Sequence, residues 1–273
     1  MYQVDDHNEY PTWIAFKPLD VSAYADELLL NLGQQRILMS GTILDYDIFG
    51  RELGLKAEET AFIKVDYSPF PESNRPIYTH IKGGKLSRKD RGLESYKKCA
   101  DAIATIAAKY PDQKGLILPF TNDIEDGIVE ALKDNHPLVY ARLRQHSKIP
   151  KERDAVVREF EDEQNNEILI STYANQGFDG KMVGFTVIAK VPVGPLGDIQ
   201  VKAKAENDPK WYQMQTAVEL AQMVGRCVRS STDVGHTYII DPSFMFHFER
   251  GMKNNPLARV LPPYISTAII KNR

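Results

Sequence analysis

The chain has 273 residues, of which 42% are hydrophobic and 26% are charged, and its formal net charge is −3. These values are ordinary for one large α/β domain, or for one domain with an appendage. They exclude a chain that is basic overall, but not one with a single basic groove for nucleic acid. No apolar run approaches the roughly 20 residues that a membrane helix needs, and no signal-peptide pattern is present, so we expect an intracellular protein without a membrane partner. Cys99 and Cys227 lack metal-ligand spacing and are predicted to be free thiols.

The hydrophobic pattern alternates between strand-like and helix-like periods along the chain. Short apolar runs predict buried strands, and longer runs with a 3.6-residue period predict helices. The predicted order is a helix over 21–32, a strand over 36–43, a short helix over 47–55, a strand over 60–67, a helix over 91–111, a strand over 114–120, a helix over 123–134, a short strand over 138–143, a helix over 151–163, strands over 166–173 and 185–193, a long helix within 207–230 and a strand over 235–241. This alternation predicts an α/β fold, with a mostly parallel sheet covered by helices on both faces.

The long helix contains the stretch QMVGRCVRS, which combines apolar residues with three polar side chains. At about 100° per residue, Gln222, Arg226 and Arg229 fall within a stripe roughly 60° wide on one helix face. The three polar groups are therefore expected to point together at a ligand or partner. The opposite face is expected to meet a core and carries Leu220, Val224, Cys227 and Val228.

Three loops contain residue types that suit a binding site. Ligands of open parallel sheets collect beyond the carboxyl ends of the strands, so the loops after strands are the place to look for chemistry. The sequence SGT follows one predicted strand, YANQGFDG follows another, and SSTDVGH follows the long helix. Each signal is weak alone, because such turns are common and two arginines on a helix are usually surface charges.

Taken together, the order and spacing of these stretches resemble the second half of superfamily-two helicases, and most closely the XPD/DinG family of 5′-to-3′ DNA helicases. In that family SGT is the coupling motif at the end of the first motor lobe. GLILPFTN is similar to the fourth motif, STYANQGFDG to the fifth and QMVGRCVRSSTDVG to the sixth. The resemblance runs from about Arg36 to Asp241, is strong from Ile168 onward, and implies a RecA-like lobe. A glutamate is usual in the family where Gln176 stands.

The resemblance also implies roles at a nucleotide site that two lobes share. Arg226 and Arg229 would be arginine fingers, because guanidinium groups delivered from a neighbouring surface stabilise the charge on a transferred γ-phosphoryl group. A purely structural alternative pairs these arginines with Asp179 or Asp233 as scaffolding. The other implied assignments are nucleotide binding by Gln222, Gly177, Asp179 and Gly225, and coupling by Ser40, Gly41 and Thr42.

Contacts to single-stranded DNA are the second implied property. Motors of this class hold one strand mainly through its phosphates, with hydroxyls, backbone N–H groups and scattered cations. Thr172 and Asn122 are the best candidates, and Lys190 is a weaker one. The most basic run is KGGKLSRKDR, the basic loop (residues 82–91). We interpret it as a mobile, solvated loop, with DNA contact as the alternative.

Several elements of a complete motor do not occur in this sequence. It has no GxxxxGK[ST] phosphate loop, no DEAH-type carboxylate box and no set of four iron–sulfur cysteines. ATP and Mg²⁺ are therefore expected to bind mainly to a first lobe, and neither a metal site nor an iron–sulfur cluster is expected in this segment. We expect residues 1–59 to be the tail of that first lobe with a connector, and residues 60–273 to be the second lobe. By itself the chain is not expected to hydrolyse ATP.

Two further functions stay open from the sequence. One is a stand-alone lobe that grips single-stranded nucleic acid or docks on a partner without turnover. The other is a superfamily-two translocase coupled to a nuclease and acting on duplex or RNA. If the helicase interpretation holds, we expect Thr172, Asp179 and the Arg226–Arg229 stretch to lie together at one rim of the sheet.

Overall fold

Short strands form the framework of the computed structural model, which describes residues 2–4, 14–65, 67–146, 149–162, 164–174, 178 and 183–270. In the central strands, consecutive residues such as Leu116 and Ile117 are both fully buried. Successive side chains of a strand point to opposite faces, so both faces of the sheet are covered. The strands described are β1 Tyr2–Val4, β2 Ile14–Phe16, β3 Ile77–Tyr78, β4 Lys114–Leu118, β5 Leu143–Arg144, β6 Ile168–Ile170, β7 Val183–Ile188, β8 His236–Ile239 and β9 Ile269–Ile270.

Seven of these strands make one sheet, in the order β5-β6-β4-β7-β8-β3-β9. Every neighbouring pair in it is parallel, whereas β1 and β2 form a separate antiparallel pair. Because the seven strands are parallel, all their carboxyl ends lie along one edge of the sheet and all their amino ends along the other. The predicted fold class, an α/β sheet with helices, is confirmed.

Helices connect the strands and cover the sheet. α3 and α4 bury Ile103, Ile128 and Leu132 against Ile117 and Phe185 of the sheet, and all five side chains are inaccessible to solvent. Burial of side chains of this size stabilises a fold by about 1.5–3 kcal/mol each. The helices are α1 Ser22–Ala25, α2 Tyr46–Glu52, α3 Leu93–Ala107, α4 Asn122–Asn135, α5 Pro137–Tyr140, α6 Pro150–Asp162, α7 Ile199–Asn207, α8 Pro209–Val224, α9 Phe244–Glu249 and α10 Pro263–Ala268, with a π turn at Asp26–Leu30 and 3₁₀ turns at Ala57–Glu59, Glu72–Asn74, Met252–Asn254 and Leu257–Arg259.

The chain separates into two compact units. The first comprises Met1–Val65, Val193–Val218 and Glu249–Leu261, and the second comprises Asp66–Pro192, Glu219–Phe248 and Pro262–Arg273. The seven-stranded sheet belongs to the second unit. The sequence-based boundary between residues 59 and 60 stays a prediction.

In the first unit, charged side chains tie α7 to α2. Lys204 Nζ lies 2.5 Å from Glu52 Oε2, and Arg51 donates to the Asp208 carboxylate. The carboxylate of Asp198 caps α7 by accepting hydrogen bonds from the N–H groups of its first turn.

Three strand predictions fail for physical reasons. Residues 36–40 have no regular structure, and Ile37 and Met39 are 85% and 88% exposed. An apolar run forms a strand only where another strand accepts its hydrogen bonds, and no described strand pairs with this run. The run from Thr60 to Val65 is irregular for the same reason. Within 138–143, Pro137 starts α5 instead, because its fixed φ suits the first position of a helix.

Both cysteines are buried and free, as predicted. Cys99 is fully buried and Cys227 is 6% exposed. Burial raises the pKa of Cys99 to about 11 and that of Cys227 to about 12. Because the thiolate is the reactive form, both groups are inert near neutral pH.

A disulfide-exchange reagent tests this at about pH 8. The raised pKa values alone lower the thiolate fraction about 100-fold at Cys99 and about 1,000-fold at Cys227. We therefore expect almost no labelling of the native chain and rapid release of two thiols in denaturant. Fast labelling of the native chain would show that these cysteines are not buried as described.

Candidate functional site

Two arginine side chains converge on one backbone carbonyl. Arg226 Nη1 donates to the carbonyl oxygen of Phe178 at 2.9 Å, and Arg229 Nη2 donates to the same oxygen. Phe178 is 2% exposed, and its ring lies 6.2 Å from that of Phe160. A buried residue therefore fixes the point at which the two guanidinium groups meet.

The segment that carries these arginines is a loop, not a helix face. α8 ends at Val224, so Arg226 and Arg229 lie in the arginine loop (residues 225–235) that leads into β8. The predicted helical stripe is wrong beyond Val224, because α8 ends there and the next residue, Gly225, has a low helix propensity. The predicted burial of Leu220, Cys227 and Val228 is confirmed, since their exposed fractions are 1%, 6% and 8%. Val224, predicted with them, is only half-buried.

Asp233 shapes the arginine loop. Its carboxylate accepts hydrogen bonds from the N–H groups of Arg229 and Ser230, both at 2.8 Å, and from Ser230 Oγ at 2.7 Å. These bonds lower the pKa of Asp233, the one to Ser230 Oγ contributing most. These hydrogen bonds to backbone and hydroxyl groups of its own loop hold the loop in shape.

Two effects lower the pKa of Arg226. Burial lowers its pKa, and the neighbouring positive charge of Arg229 lowers it further. Arg226 is half-buried and Arg229 is exposed. Two cations held at one point favour an anion beside them, because an anion relieves their mutual repulsion. A planar guanidinium with several donors suits phosphate oxygens in particular.

Gln222 and Gly225 precede the two arginines in the chain. A Cβ atom added at Gly225 would lie 3.4 Å from the Ala221 carbonyl oxygen, which is an ordinary contact. Packing inside the described chain therefore does not require glycine there. Gln222 is half-buried in the last turn of α8. The other two predicted nucleotide residues, Gly177 and Asp179, lie outside the described residues, as does Gln176.

Thr172 and Asn122, predicted separately, are in direct contact. Thr172 Oγ1 donates to Asn122 Oδ1 at 3.0 Å, and Thr172 N–H donates to Glu125 Oε2 at 3.2 Å. Glu125 is only 7% exposed. Sequence reasoning missed it, although an acidic residue in the first turn of a helix is a recognisable signal. Glu125 fixes the backbone of Thr172 and so positions the hydroxyl.

Lys190 lies in the same row of strand ends. Thr172 follows β6, Asn122 follows β4 and Lys190 follows β7, and these three strands are neighbours in the sheet. Asp241 follows β8, and its carboxylate accepts from Val191 N–H at 2.8 Å and from Ser243. Along the carboxyl edge, the hydroxyl of Thr172, the amide of Asn122 and the ammonium group of Lys190 therefore lie beyond three successive strands.

The arginine loop lies at the other edge. A cavity of about 640 Å³ is lined by residues that precede β4, β6 and β8, such as Gln113, Asn166 and Val234, and also by Cys227 of the arginine loop. This loop leads into the amino end of β8, whereas Thr172 follows the carboxyl end of β6. The expectation that Thr172 and the arginines share one rim is therefore wrong.

Ser40, Gly41 and Thr42 form a turn in the first unit. Thr42 N–H donates to Ser40 Oγ at 3.1 Å, and the two hydroxyl oxygens are 3.2 Å apart. Ser40 and Gly41 are exposed. Among the described residues, no group of three or more His, Cys, Asp or Glu side chains is arranged to hold a metal ion. Nor is any helix in the described part of the chain long and apolar enough to cross a membrane.

The second unit thus combines a seven-stranded parallel sheet, the arginine loop and a polar carboxyl edge. The sequence model of the helicase C-terminal domain family matches residues 103–254, more than half of the chain. The chain belongs to this family. No curated protein matches its sequence at a significant level.

Solved structures agree with this assignment at the level of the fold. A structure titled XPD_Helicase has 17% identity, a TM-score of 0.60, and coverage of 86% of this chain and 44% of that one. XPD_APO has 14% identity, a TM-score of 0.54, and coverage of 80% and 46%. Xpd4 of S. tokodaii has 15% identity, a TM-score of 0.54, and coverage of 80% and 42%. The chain thus spans less than half the length of these structures, and the predicted resemblance to the second lobe of an XPD-type helicase is confirmed.

Proposed function

We propose that the chain is the second motor lobe of an ATP-dependent DNA helicase or translocase of XPD type. The observation that supports this most is the convergence of Arg226 and Arg229 on the Phe178 carbonyl. Their like charges favour an anion, and the γ-phosphate of an ATP molecule held by a first lobe is the anion that the family membership suggests.

In this proposal the arginines act on the charge that develops during phosphoryl transfer. The carbonyl of Phe178 holds both guanidinium groups before ATP arrives, so little reorganisation is needed at the moment of reaction. Mg²⁺ would neutralise phosphate charge from the first lobe. Gln222, Gly177 and Asp179 would help to position the nucleotide.

Gly225 and the turn Ser40–Gly41–Thr42 would serve the contact between the lobes. Gly225 has no packing reason within the described chain to be glycine, which fits a close approach by the backbone of a partner lobe. The hydroxyls of Ser40 and Thr42 would couple nucleotide state to movement on DNA.

The carboxyl edge would carry part of the track for single-stranded DNA. The N–H groups of the Asn122 amide suit phosphate contacts without reading sequence. The Thr172 hydroxyl donates to Asn122 Oδ1, so it would exchange that bond for one to a phosphate oxygen when DNA binds. Lys190 would add a cation to the same row.

Hydrolysis assays with and without single-stranded DNA test the function as a whole. A complete two-lobe motor that contains this chain should hydrolyse ATP in a DNA-stimulated manner, and the 273-residue chain alone should not. If the complete protein binds DNA but never turns ATP over, the chain is a binding module instead.

Thr172→Ala tests the track. Loss of one hydroxyl contact should weaken binding of a fluorescein-labelled oligodeoxythymidine about 2- to 10-fold, as expected for about 0.5–1.5 kcal/mol. Asn122→Ala should have a similar effect. Binding should weaken with added salt, because it rests on phosphates. Thr172→Ser retains the hydroxyl and serves as the matched control. Equal loss in the serine and alanine variants would contradict the assignment, as would tight binding that is insensitive to salt.

A further inference from the structure

The basic loop (residues 82–91) lies at the carboxyl edge of the sheet. It follows the carboxyl end of β3, and Gly83 N–H donates to the Ile240 carbonyl at 2.8 Å, just beyond the end of β8. At its other end, Arg91 pairs with Asp123 at 3.1 Å in the first turn of α4. The same turn contains Asn122, so the loop and the Thr172–Asn122 pair are neighbours.

The loop is anchored to the second unit, in contrast to the mobile loop expected from sequence. Gly84 N–H donates to Cys99 Sγ at 3.2 Å, and a Cβ atom at Gly84 would lie 2.2 Å from the Ser95 carbonyl oxygen. Leu86 is 3% exposed and belongs to the main core. Ser95 Oγ donates to the Asp90 carbonyl at 3.0 Å. These contacts fix the backbone from both sides.

Beyond Lys82, which is exposed at the start of the loop, three more cations project from this anchored backbone. Lys85, Arg88 and Lys89 are all exposed, although the residues around them are buried or bonded. The acidic residue of the loop, Asp90, accepts from Ser87 Oγ. Because the backbone is already ordered, contacts by these side chains would cost less conformational entropy than contacts from a flexible loop.

From the placement of these cations, we propose that the basic loop extends the track for the phosphates of the single strand that passes Thr172 and Asn122. This inference rests on the proposed function. β3 is the third strand along the sheet from β4. At a spacing of 4.7–4.9 Å between neighbouring strands, the two strands are about 14 Å apart. Lys190 lies between them in the row, because it follows β7, the strand next to β4. Asp241 lies in the same row, but it is 4% exposed and its carboxylate is bonded to Val191 and Ser243. The row of residues beyond the strand ends thus runs perpendicular to the strands, and it ends at the exposed Lys85, Arg88 and Lys89.

The test removes the three charges together in the 273-residue chain, as Lys85→Gln, Arg88→Gln and Lys89→Gln. Binding of the labelled oligodeoxythymidine is measured against salt concentration. A matched control also removes two lysines and one arginine, as Lys109→Gln, Lys133→Gln and Arg158→Gln. These three side chains are exposed, and they lie on the later turns of helices or just beyond a helix end. If all three loop residues contact phosphates, the slope of log K against log salt should fall by about 2, at about 0.7 per contact. The control should retain the parent slope.

Each outcome either supports or overturns the proposal that the basic loop extends the DNA track. A fall in slope confined to the loop variant supports the proposal. An unchanged slope in the loop variant, or an equal fall in the control, overturns it. If Thr172→Ala weakens binding while the loop variant does not, the track exists without the loop, and only this inference fails. If the parent chain shows no binding that salt weakens, the DNA track fails as well. Melting temperatures of all variants verify that each is folded.

Discussion

Arg226→Ala should reduce DNA-stimulated ATP hydrolysis by a complete two-lobe motor about 10³- to 10⁵-fold, the range typical of arginine fingers. DNA binding should remain close to the parent level, because the arginine loop and Thr172 lie at opposite edges of the sheet. The effect should appear in rate more than in nucleotide affinity, since a finger meets the γ-phosphate most closely in the transition state. Turnover per folded molecule is the quantity to measure.

Arg226→Lys should reduce DNA-stimulated ATP hydrolysis nearly as much as Arg226→Ala. A lysine keeps the charge but lacks the planar fork that can contact the Phe178 carbonyl and a phosphate oxygen together. A variant that keeps the charge and loses the activity would separate geometry from simple electrostatics.

Arg142→Ala provides the matched structural control. The guanidinium group of Arg142 also donates to backbone, at the carbonyls of Ala107, Tyr110, Gln113 and Asn166. Its loss should lower the melting temperature while the remaining folded motor hydrolyses ATP normally. If Arg226→Ala behaves in the same way, the arginine pair is scaffolding and the finger assignment is wrong.

Much of the sheet could be predicted because β4, β6, β7 and β8 are apolar runs between turns. β3 and β9 could not, because two-residue strands show no period of their own. Their strand character comes from parallel neighbours that are distant in sequence. The exposed run 36–40 shows the converse, since a suitable pattern without a pairing partner does not become a strand.

At the candidate site, residue types could be predicted but their arrangement could not. Motif order singled out Arg226 and Arg229, yet their meeting point is the carbonyl of Phe178, and any residue has a carbonyl. The contact between Thr172 and Asn122 likewise depends on β4 and β6 being neighbours, which the sequence does not state. The anchored basic loop follows from two glycines whose packing partners, Cys99 and Ser95, are on α3.

Gly235→Ala should be among the most destabilising single substitutions at the arginine loop. An added Cβ would lie 2.1 Å from Cys227 Cβ and 3.1 Å from the Cys227 carbonyl oxygen, so the backbone of the loop must shift. Overpacking of this kind typically costs about 1–3 kcal/mol. At about 2–4 °C per kcal/mol for a unit of this size, the melting temperature should fall by about 2–12 °C.

Gly225→Ala is the matched partner of that substitution, because it adds the same methyl group at the start of the same loop. The added Cβ meets only ordinary contacts, the nearest being 3.4 Å from the Ala221 carbonyl oxygen. Stability should therefore change by no more than about 0.5 kcal/mol. In the complete motor, however, ATP turnover should fall, because the methyl group would obstruct the approach of the first lobe. Thermal melting of the 273-residue chain and turnover of the complete motor, measured for both variants, separate packing within the loop from contact with a partner lobe. Parent-level turnover in Gly225→Ala would show that the lobes do not meet closely at this glycine.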